Sequence, residues 1–461
     1  MKVAAQEELD VFLAENPEIQ MLEVLMPDMN GVLRCKRIHR REFGAMFSGG
    51  IKSPACLPLI NCKGDLTGEI NNELFIGDPD QLIRPVSGSL ATIPWLSSPT
   101  GQVLVGSTTL EGDPSWVDPR NVLDAVLEKF TALKLKPVVA TEMEFYLVAN
   151  GDSERPVPLL AKVPGTNVDQ AGVQYCVAQD LWLFDGFLDD VRTSCEAQGV
   201  PLTVIHSEFS PGQWEINTHH VDDPMLACDQ AALFKRIVKG VAIQHGYSAC
   251  FMAKPFADIA GSGMHIHASL YDEAGNNIFS DPSKKTEPAI SDAMLHAIGG
   301  LAQTMPDAMA VFAPNANSYR RFVPGVYAPT AATWGYNHRE VSLRIPVSGD
   351  KDRRIEHRVA GADANPYLVM AMVLAGIHYG LTEHCDPGPG VEEGVEVDIA
   401  AYPSLPVRWE YALDSFRASK ILPKYLTPEY FRAFASVRQA ESNEFNASVS
   451  NVDYEWYMRV V

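Results

Sequence analysis

The sequence predicts an α+β fold in two parts, and three observations carry the prediction. Residues 18–110 are short strand-like runs rich in Gly and Pro. At "WVDPRNVLDAVLEKFTAL" the texture changes to helices alternating with strands. In that second part, several strands repeat Glu, His and Arg on one face. The break falls near residue 113, giving units 17–112 and 113–461, and a chain of 461 residues is long enough for two cores.

In chain order, "IQMLEVLMPDMNGVLRCKRI" reads as a hairpin, with apolar runs on either side of Asp28, Asn30 and Gly31. "DPDQLIRPVSGSLATIPW" continues the short-strand pattern. Asp118 then caps a helix whose first residue is Pro119, with an apolar stripe of Val122, Leu123, Val126, Leu127, Phe130 and Leu133. Further helices are expected at "LWLFDGFLDDVRTSCEAQ", "PMLACDQAALFKRIVKGVAIQHG" and "SDAMLHAIGGLAQTM". "YLVMAMVLAGI" after Pro366 reads as a buried helix, because eleven apolar residues fall well short of the roughly 20 that span a bilayer.

The strands between those helices share a pattern. Side chains alternate between the two faces of a strand. In "VVATEMEFYLV" Glu142 and Glu144 lie opposite Met143, Phe145 and Leu147. In "PGQWEIN" Gln213, Glu215 and Asn217 oppose Trp214 and Ile216. In "GSGMHIHASL" His265, His267 and Ser269 share a face, and in "RRIEHRV" so do Arg354, Glu356 and Arg358. "VSLRIP" adds Arg344, and "VIHSEFS" adds Glu208. One such strand is what a solvated outer face looks like. Several that carry Glu, His and Arg, with almost no Asp or Lys, point to a sheet folded around an aqueous cavity. Glu142 and Glu144 are about 7 Å apart along the strand, so each can serve one of two neighbouring ions. Glu142, Glu144, Glu208, Glu215, His265 and Glu356 form a hard, oxygen-rich donor set that suits Mg²⁺ or Mn²⁺ over a structural Zn²⁺.

Net charge is −21, which argues against general nucleic-acid or anionic-membrane binding. Yet from 320 to 358 eight bases, Arg320, Arg321, Arg339, Arg344, Lys351, Arg353, Arg354 and Arg358, stand against four acids, Glu340, Asp350, Asp352 and Glu356. Guanidinium forks beside divalent metals are equipment for phosphoryl transfer. With no GxxxxGK[ST] and no strand–GxGxxG–helix unit, a nucleotide would be held by arginines and metals. The eight scattered cysteines and an N-terminus without a secretory pattern suit a cytoplasmic protein with reduced thiols.

"TEMEFYL", "PGQWEIN", "KPFADIAGSGMHIHASL", "NSYRRFVPG", "NHREVSLRIP" and "RRIEHRVAGADANPYLVMA", in this order, resemble the glutamine synthetase family from about residue 18 onward. "NSYRRF", "APTAATWG" and "RVAGADANPYLVMA" are most similar to its γ-glutamylputrescine and γ-glutamylpolyamine synthetases. The resemblance implies a small N-terminal β-grasp domain and a catalytic domain with a curved antiparallel sheet backed by helices. It also implies homo-oligomeric rings, single or stacked, with active sites between subunits. ATP, glutamate and an amine would be substrates, and two or more divalent ions would serve each site. Glu144, Glu208 and Glu215 would hold one ion, and Glu142, His265 and Glu356 the ion that bridges ATP phosphates. Arg321, Arg358 and Gly261 fall where the family grips glutamate. Arg339 falls where it stabilises the transferring phosphoryl group. His267, Ser269, Arg344, Lys351 and Arg354 fall on nucleotide positions.

The departures concern the amine. The flap reads "PGVYAPT", with Tyr327 where ammonia-using members carry a glutamate, and "FGAMFSGGIKSPA" has no acid where they carry an aspartate. The family's Asn-Gly-Ser-Gly reads Ala260-Gly261-Ser262-Gly263. A small desolvated cation needs a paired charge, whereas a larger amine gains about 0.8 kcal/mol per buried CH₂. Trp214, Tyr319, Phe322, Tyr327 and Trp334 are candidate pocket walls, with core packing the alternative for each. Asp65 and Glu69 are candidates for a distal ammonium. Glu208 or the acyl phosphate is the candidate base. The expected activity is ATP-dependent ligation of glutamate to a polyamine. An aromatic or alkyl monoamine, ammonia, a phosphorylated guanidine product and a non-catalytic role are the competing readings.

Overall fold

The structure, a computed structural model, describes residues 2–151, 155–173, 175–284, 288–323 and 328–461. Two sheets organise it. The first contains β1 (Met21–Pro27), β2 (Leu33–His39), β3 (Ile51–Pro54), β4 (Asp80–Pro85), β5 (Ala91–Thr92) and β6 (Thr100–Thr108). Its order is β2-β1-β6-β4-β3, with β5 on β6, and β1 and β6 run parallel. The β1–β2 hairpin forms where the sequence places it. Asp28 Oδ1 accepts from the N–H groups of Asn30 (2.8 Å) and Val32 (2.9 Å), and Gly31 takes φ +75°. Leu22, Val24, Met26, Phe43, Met46, Phe47, Val103 and Val105 build a core of their own under this sheet.

The second sheet contains β7 (Lys136–Ala149), β8 (Leu202–Ser207), β9 (Gln213–Thr218), β10 (Tyr247–Cys250), β11 (Met264–Tyr271), β12 (Trp334–Tyr336), β13 (Leu343–Ile345) and β14 (Ile355–His357). The order is β12-β13-β14-β11-β7-β9-β8, with β10 also on β7. It is mixed, which corrects the antiparallel expectation: β12 and β13 pair in parallel. Each is three residues long, about 10 Å, so the short return 337–342 can carry the chain back to a parallel start.

Helices cover the apolar face. Asp118, Asp223, Asn365 and Thr427 each cap a helix that opens on proline, fixing the starts of Pro119–Ala132, Pro224–Gln244, Pro366–Glu383 and Pro428–Ala447. The helix expected across 181–198 is two, Ala178–Leu183 and Asp185–Ala197. Phe184 breaks it by turning into the core, 5.3 Å from the Trp214 ring. Leu133, expected in the buried stripe, ends its helix and is exposed. Among the described residues no helix is long and apolar enough to cross a membrane.

Candidate active site

Alternation on β7 places Met143, Phe145 and Leu147 in the core, with Glu142 and Glu144 on the opposite face. Register does the rest. Glu142 lies across from His265 on β11, Glu144 from Glu215 on β9, and Glu356 on β14 from His267 and Arg344. Polar residues distant in sequence therefore converge on one face.

Two groups of donors result. Ligand atoms of Glu142, His265 and Glu356 lie within 4.8 Å of one another, and so do those of His206, Glu208 and Glu215. Carboxylate oxygens with one imidazole each fit a hard divalent ion in either group. His206 belongs to the second group, with Nε2 3.2 Å from Glu215 Oε1 and Nδ1 3.7 Å from Glu208 Oε2. Sequence reasoning missed it, although two residues before Glu208 on an extended run is the same-face spacing. Glu144 stands between the groups. Its Oε2 accepts from Gly263 N (2.8 Å) and Gln213 Nε2 (3.3 Å), and its Oε1 is 3.8 Å from His265 Nε2.

The charges divide the site. Burial and the charges of Glu144 and Glu215 push the Glu208 carboxyl up to about 7. The hydrogen bond to Glu215 outweighs burial and takes His206 up to about 9. On the other side burial opposes ionised Glu142, but His267 and His265 overcome it and hold its pKa well below the carboxylate range. Burial likewise opposes ionised Glu356, and Arg358, His267 and His265 bring it down to about 2. Arg358 pairs with Glu356 Oε1, and Arg344 Nη1 reaches Oε2 at 2.8 Å. Burial and Arg358 oppose protonation of His265, yet Glu142, Glu144 and Glu356 raise its pKa.

Beside Glu142 opens a cavity of about 450 Å³, whose walls include Asn217, His267, Ser269, Tyr271 and Arg354. Arg354 Nε donates to His267 Nδ1 at 3.2 Å, and His267 Nε2 faces Glu142 Oε1 at 2.8 Å. Ser269 Oγ donates to Arg353 O at 2.9 Å. Of the residues expected at a nucleotide, His267, Ser269 and Arg354 line this cavity, Arg344 sits on Glu356, and Lys351 is exposed. The stacked rings of His219 and His220, 4.3 Å apart, form part of the same wall and were not anticipated.

Arg321 is buried next to the donor groups. Its Nη1 donates to Val359 O at 2.8 Å, and Nη2 lies 3.3 Å from Arg358 O. Gly261 and Gly263 are required against it: a Cβ at Gly261 would fall 2.9 Å from Arg321 Cγ, and one at Gly263 would fall 2.7 Å from Nη2. Arg339 is exposed, and its charge acts on Tyr175, whose ring is 5.8 Å from that of His206. Tyr327 lies outside the described residues.

The aromatic wall proposed for the amine is largely core. Trp214, Tyr319 and Phe322 are buried in the main hydrophobic cluster, and Trp334 packs on Gly390. Alternation turns Trp214 away from Glu215, which explains the outcome for that residue. Glu69 pairs with Arg432, which also binds Glu73.

The model of the glutamine synthetase catalytic domain matches residues 116–457. Gamma-glutamylputrescine synthetase PuuA of Escherichia coli (strain K12) is 36% identical, over 99% of this chain and 95% of its own. A glutamate–isopropylamine ligase of Pseudomonas sp is 31% identical, over 84% of this chain and 83% of its own. The solved ADP complex of GmaS aligns with a TM-score of 0.83 at 26% identity, over 98% of this chain and 99% of that one. With the catalytic-domain match running through three quarters of its length and a curated relative aligned from end to end, this chain belongs to the glutamine synthetase family.

Proposed function

We propose that the protein joins the γ-carboxylate of L-glutamate to an organic amine, consuming ATP and releasing ADP and phosphate, and that the amine is a polyamine such as putrescine. One observation carries the reading. Two three-donor groups lie on one sheet face, with a nucleotide-sized cavity on one side and the buried Arg321 on the other. The 36% identity to a γ-glutamylputrescine synthetase supports the choice of amine.

In this reading Glu142, His265 and Glu356 hold one Mg²⁺ or Mn²⁺, and Glu208 and Glu215, with His206 or Glu144, hold a second. The ions supply positive charge to polyphosphate and carboxylate oxygens. Arg321 and Arg358, beside Gly261, grip the amino acid. His267, Ser269, Arg344, Lys351 and Arg354 attend the nucleotide. The γ-phosphoryl passes to the glutamate side-chain oxygen, with Arg339 balancing its charge. The amine nitrogen then attacks the acyl carbon, the C–O bond to phosphate breaks, and the nitrogen gives up a proton. Glu208, or the acyl phosphate itself, is the candidate to receive that proton. Tyr327 is assigned to closing the amine site, where a neutral phenol offers ammonium no counter-charge.

The polypeptide is read as a β-grasp domain, 17–112, and a catalytic domain, 113–461. The separate core under the first sheet and its parallel β1–β6 pair support this. A homo-oligomeric ring, single or stacked, in the cytoplasm completes the picture, and eight free thiols suit that compartment. An alkyl or aromatic monoamine is the second reading. It is favoured by the pairing of Glu69 and Glu73 with Arg432 and by the likeness to a glutamate–isopropylamine ligase.

Phosphate release is measured with glutamate, Mg-ATP and, in turn, ammonium, putrescine, spermidine, an alkylamine and a phenethylamine. Putrescine or spermidine is expected to give the highest kcat/KM. Ammonium surpassing every organic amine by orders of magnitude overturns the organic-amine assignment and the reading of Tyr327.

A further inference from the structure

We propose that Asp363 is a positioning residue for the acid substrate: its carboxylate clasps the turn that carries Arg321 to the segment that follows Arg358, and so fixes the spacing of the two guanidiniums. This deepens the proposed function and rests on the reading of those arginines as the grip on glutamate.

Asp363 Oδ2 accepts from Asn315 Nδ2 at 2.8 Å and from Ser318 Oγ at 2.7 Å. Ser318 opens the short 3-10 turn Ser318–Arg321, so the carboxylate holds the base of the element whose last residue is the arginine. Arg321 closes the ring from the other side through Val359 O and Arg358 O, within five residues of Asp363 in sequence. The turn between them is tight: Gly361 N donates to Phe312 O at 3.0 Å, and a Cβ at Gly361 would overlap Asp363 Oδ1.

A third strut joins the glycine segment. Asn317 Oδ1 accepts from Lys254 N at 3.0 Å, and its Nδ2 donates to Lys254 O at 2.8 Å. Next to it, Ala253 O takes the N–H of Ser262 at 2.9 Å, beside Gly261. The 3-10 turn is therefore tied to both neighbours of the acid pocket, and one of those ties is a single carboxylate. Asp363 also places a negative charge near the buried Arg321, favouring its charged form. None of these bonds involves a wall residue of the nucleotide cavity. Their loss should therefore appear in one substrate and not the other.

Asp363→Ala and Asp363→Asn are compared by KM for glutamate, KM for Mg-ATP, and kcat. Asp363→Ala is expected to raise KM for glutamate about tenfold or more while KM for Mg-ATP stays within about twofold. Asp363→Asn keeps an oxygen acceptor and should recover to within about threefold of the parent value. A glutamate KM unchanged in Asp363→Ala, or an equal rise in both KM values, overturns the proposal. Ser318→Ala removes one of the two clasp bonds. If Asp363→Ala fails to fold, it should still raise glutamate KM about threefold, and no rise overturns the proposal. Arg321→Lys is run in parallel: a glutamate KM unaltered there sinks the grip reading itself, and with it this inference, whatever Asp363→Ala shows.

Discussion

Burial among Glu144 and Glu215 raises the Glu208 carboxyl to about 7, and its neighbour His206 rises to about 9 through Glu215. A raised folded-state value means that the folded protein holds protons the unfolded chain would release. The stability these two groups contribute is full below their unfolded values, near 4.3 and 6.5. It is lost as pH climbs through about 7 for Glu208 and about 9 for His206. Glu142 and Glu356 have lowered values and lose their contribution only in acid, below about pH 4.5. Between pH 6 and 9 the metal-free protein should therefore soften. A divalent ion bound by Glu208 must displace its proton, so the apparent affinity should rise by up to about tenfold per pH unit below pH 7. Calorimetric titration of Mg²⁺ or Mn²⁺ at pH 6, 7 and 8.5, with melting curves alongside, checks this. Affinity independent of pH would remove Glu208 from the ligand set. At this scale the sequence was legible wherever a residue's face could be counted along a strand, as for Glu142 and Glu356. It was silent where partners decide: Glu144 takes Gly263 N–H, and Arg344 takes Glu356, through contacts that only the fold creates.

Helix starts were legible because a capping side chain followed by proline is a local signal, as at Asp118–Pro119 and Asn365–Pro366. The break at Phe184 was not, because the ring is drawn inward by Trp214, some 30 residues on. Nor was β12, three residues long and without a period to show, whereas "VSLRIP" marked the equally short β13. Helix Asp292–Phe312 illustrates what an element needs beyond its apolar stripe. It crosses Pro366–Glu383 so closely that Gly300 and Gly380 leave no room for a side chain. A Cβ on Gly300 would overlap Gly376 O and Gly380 N, and one on Gly380 would overlap His296 O. The obstacles are backbone atoms, which cannot swing aside. Gly300→Ala should force the two helices apart and cost about 3 kcal/mol despite alanine's better helix propensity. Equilibrium unfolding in urea measures it. A stabilised variant would show that propensity outweighs the crossing and that the helices have slack.

The first sheet has a small core of its own, and it is joined to the rest both by apolar residues such as Leu25, Met29, Leu59 and Leu104, which belong to the main cluster, and by polar bonds. The β1–β2 hairpin tip reaches the start of helix Pro366–Glu383, where Asn365 Nδ2 donates to Asp28 O at 2.8 Å. Arg236, on helix Pro224–Gln244, pairs with Glu23 of β1 and lies over the Trp95 ring. From the last long helix Arg438 Nη1 donates to Asn30 Oδ1 at 2.8 Å and to Glu441 Oε2 at 2.7 Å, while Glu441 Oε1 accepts Cys62 N at 2.6 Å. Arg438 and Glu441 are both buried, 2% and 6% exposed, so removing one leaves the other charged without compensation. Arg438→Met is expected to cost about 3–5 kcal/mol, and Arg438→Met/Glu441→Met to recover much of it, since an apolar pair has no charge to desolvate. Lys63→Ala, which removes a solvent-exposed partner of Glu444, should cost under about 1 kcal/mol. The damage in Arg438→Met is confined to the joint, so the first sheet should come loose before the second. Tryptophan fluorescence and far-UV circular dichroism are expected to coincide in the parent and to separate into two transitions in the variant. A single coincident transition at an unchanged midpoint would mean that the two cores cohere without this arginine. The weight of the joint would then fall on Asn365, Arg236 and the apolar contacts around Leu25 and Leu104, which belong to the main hydrophobic cluster although they stand on the first sheet.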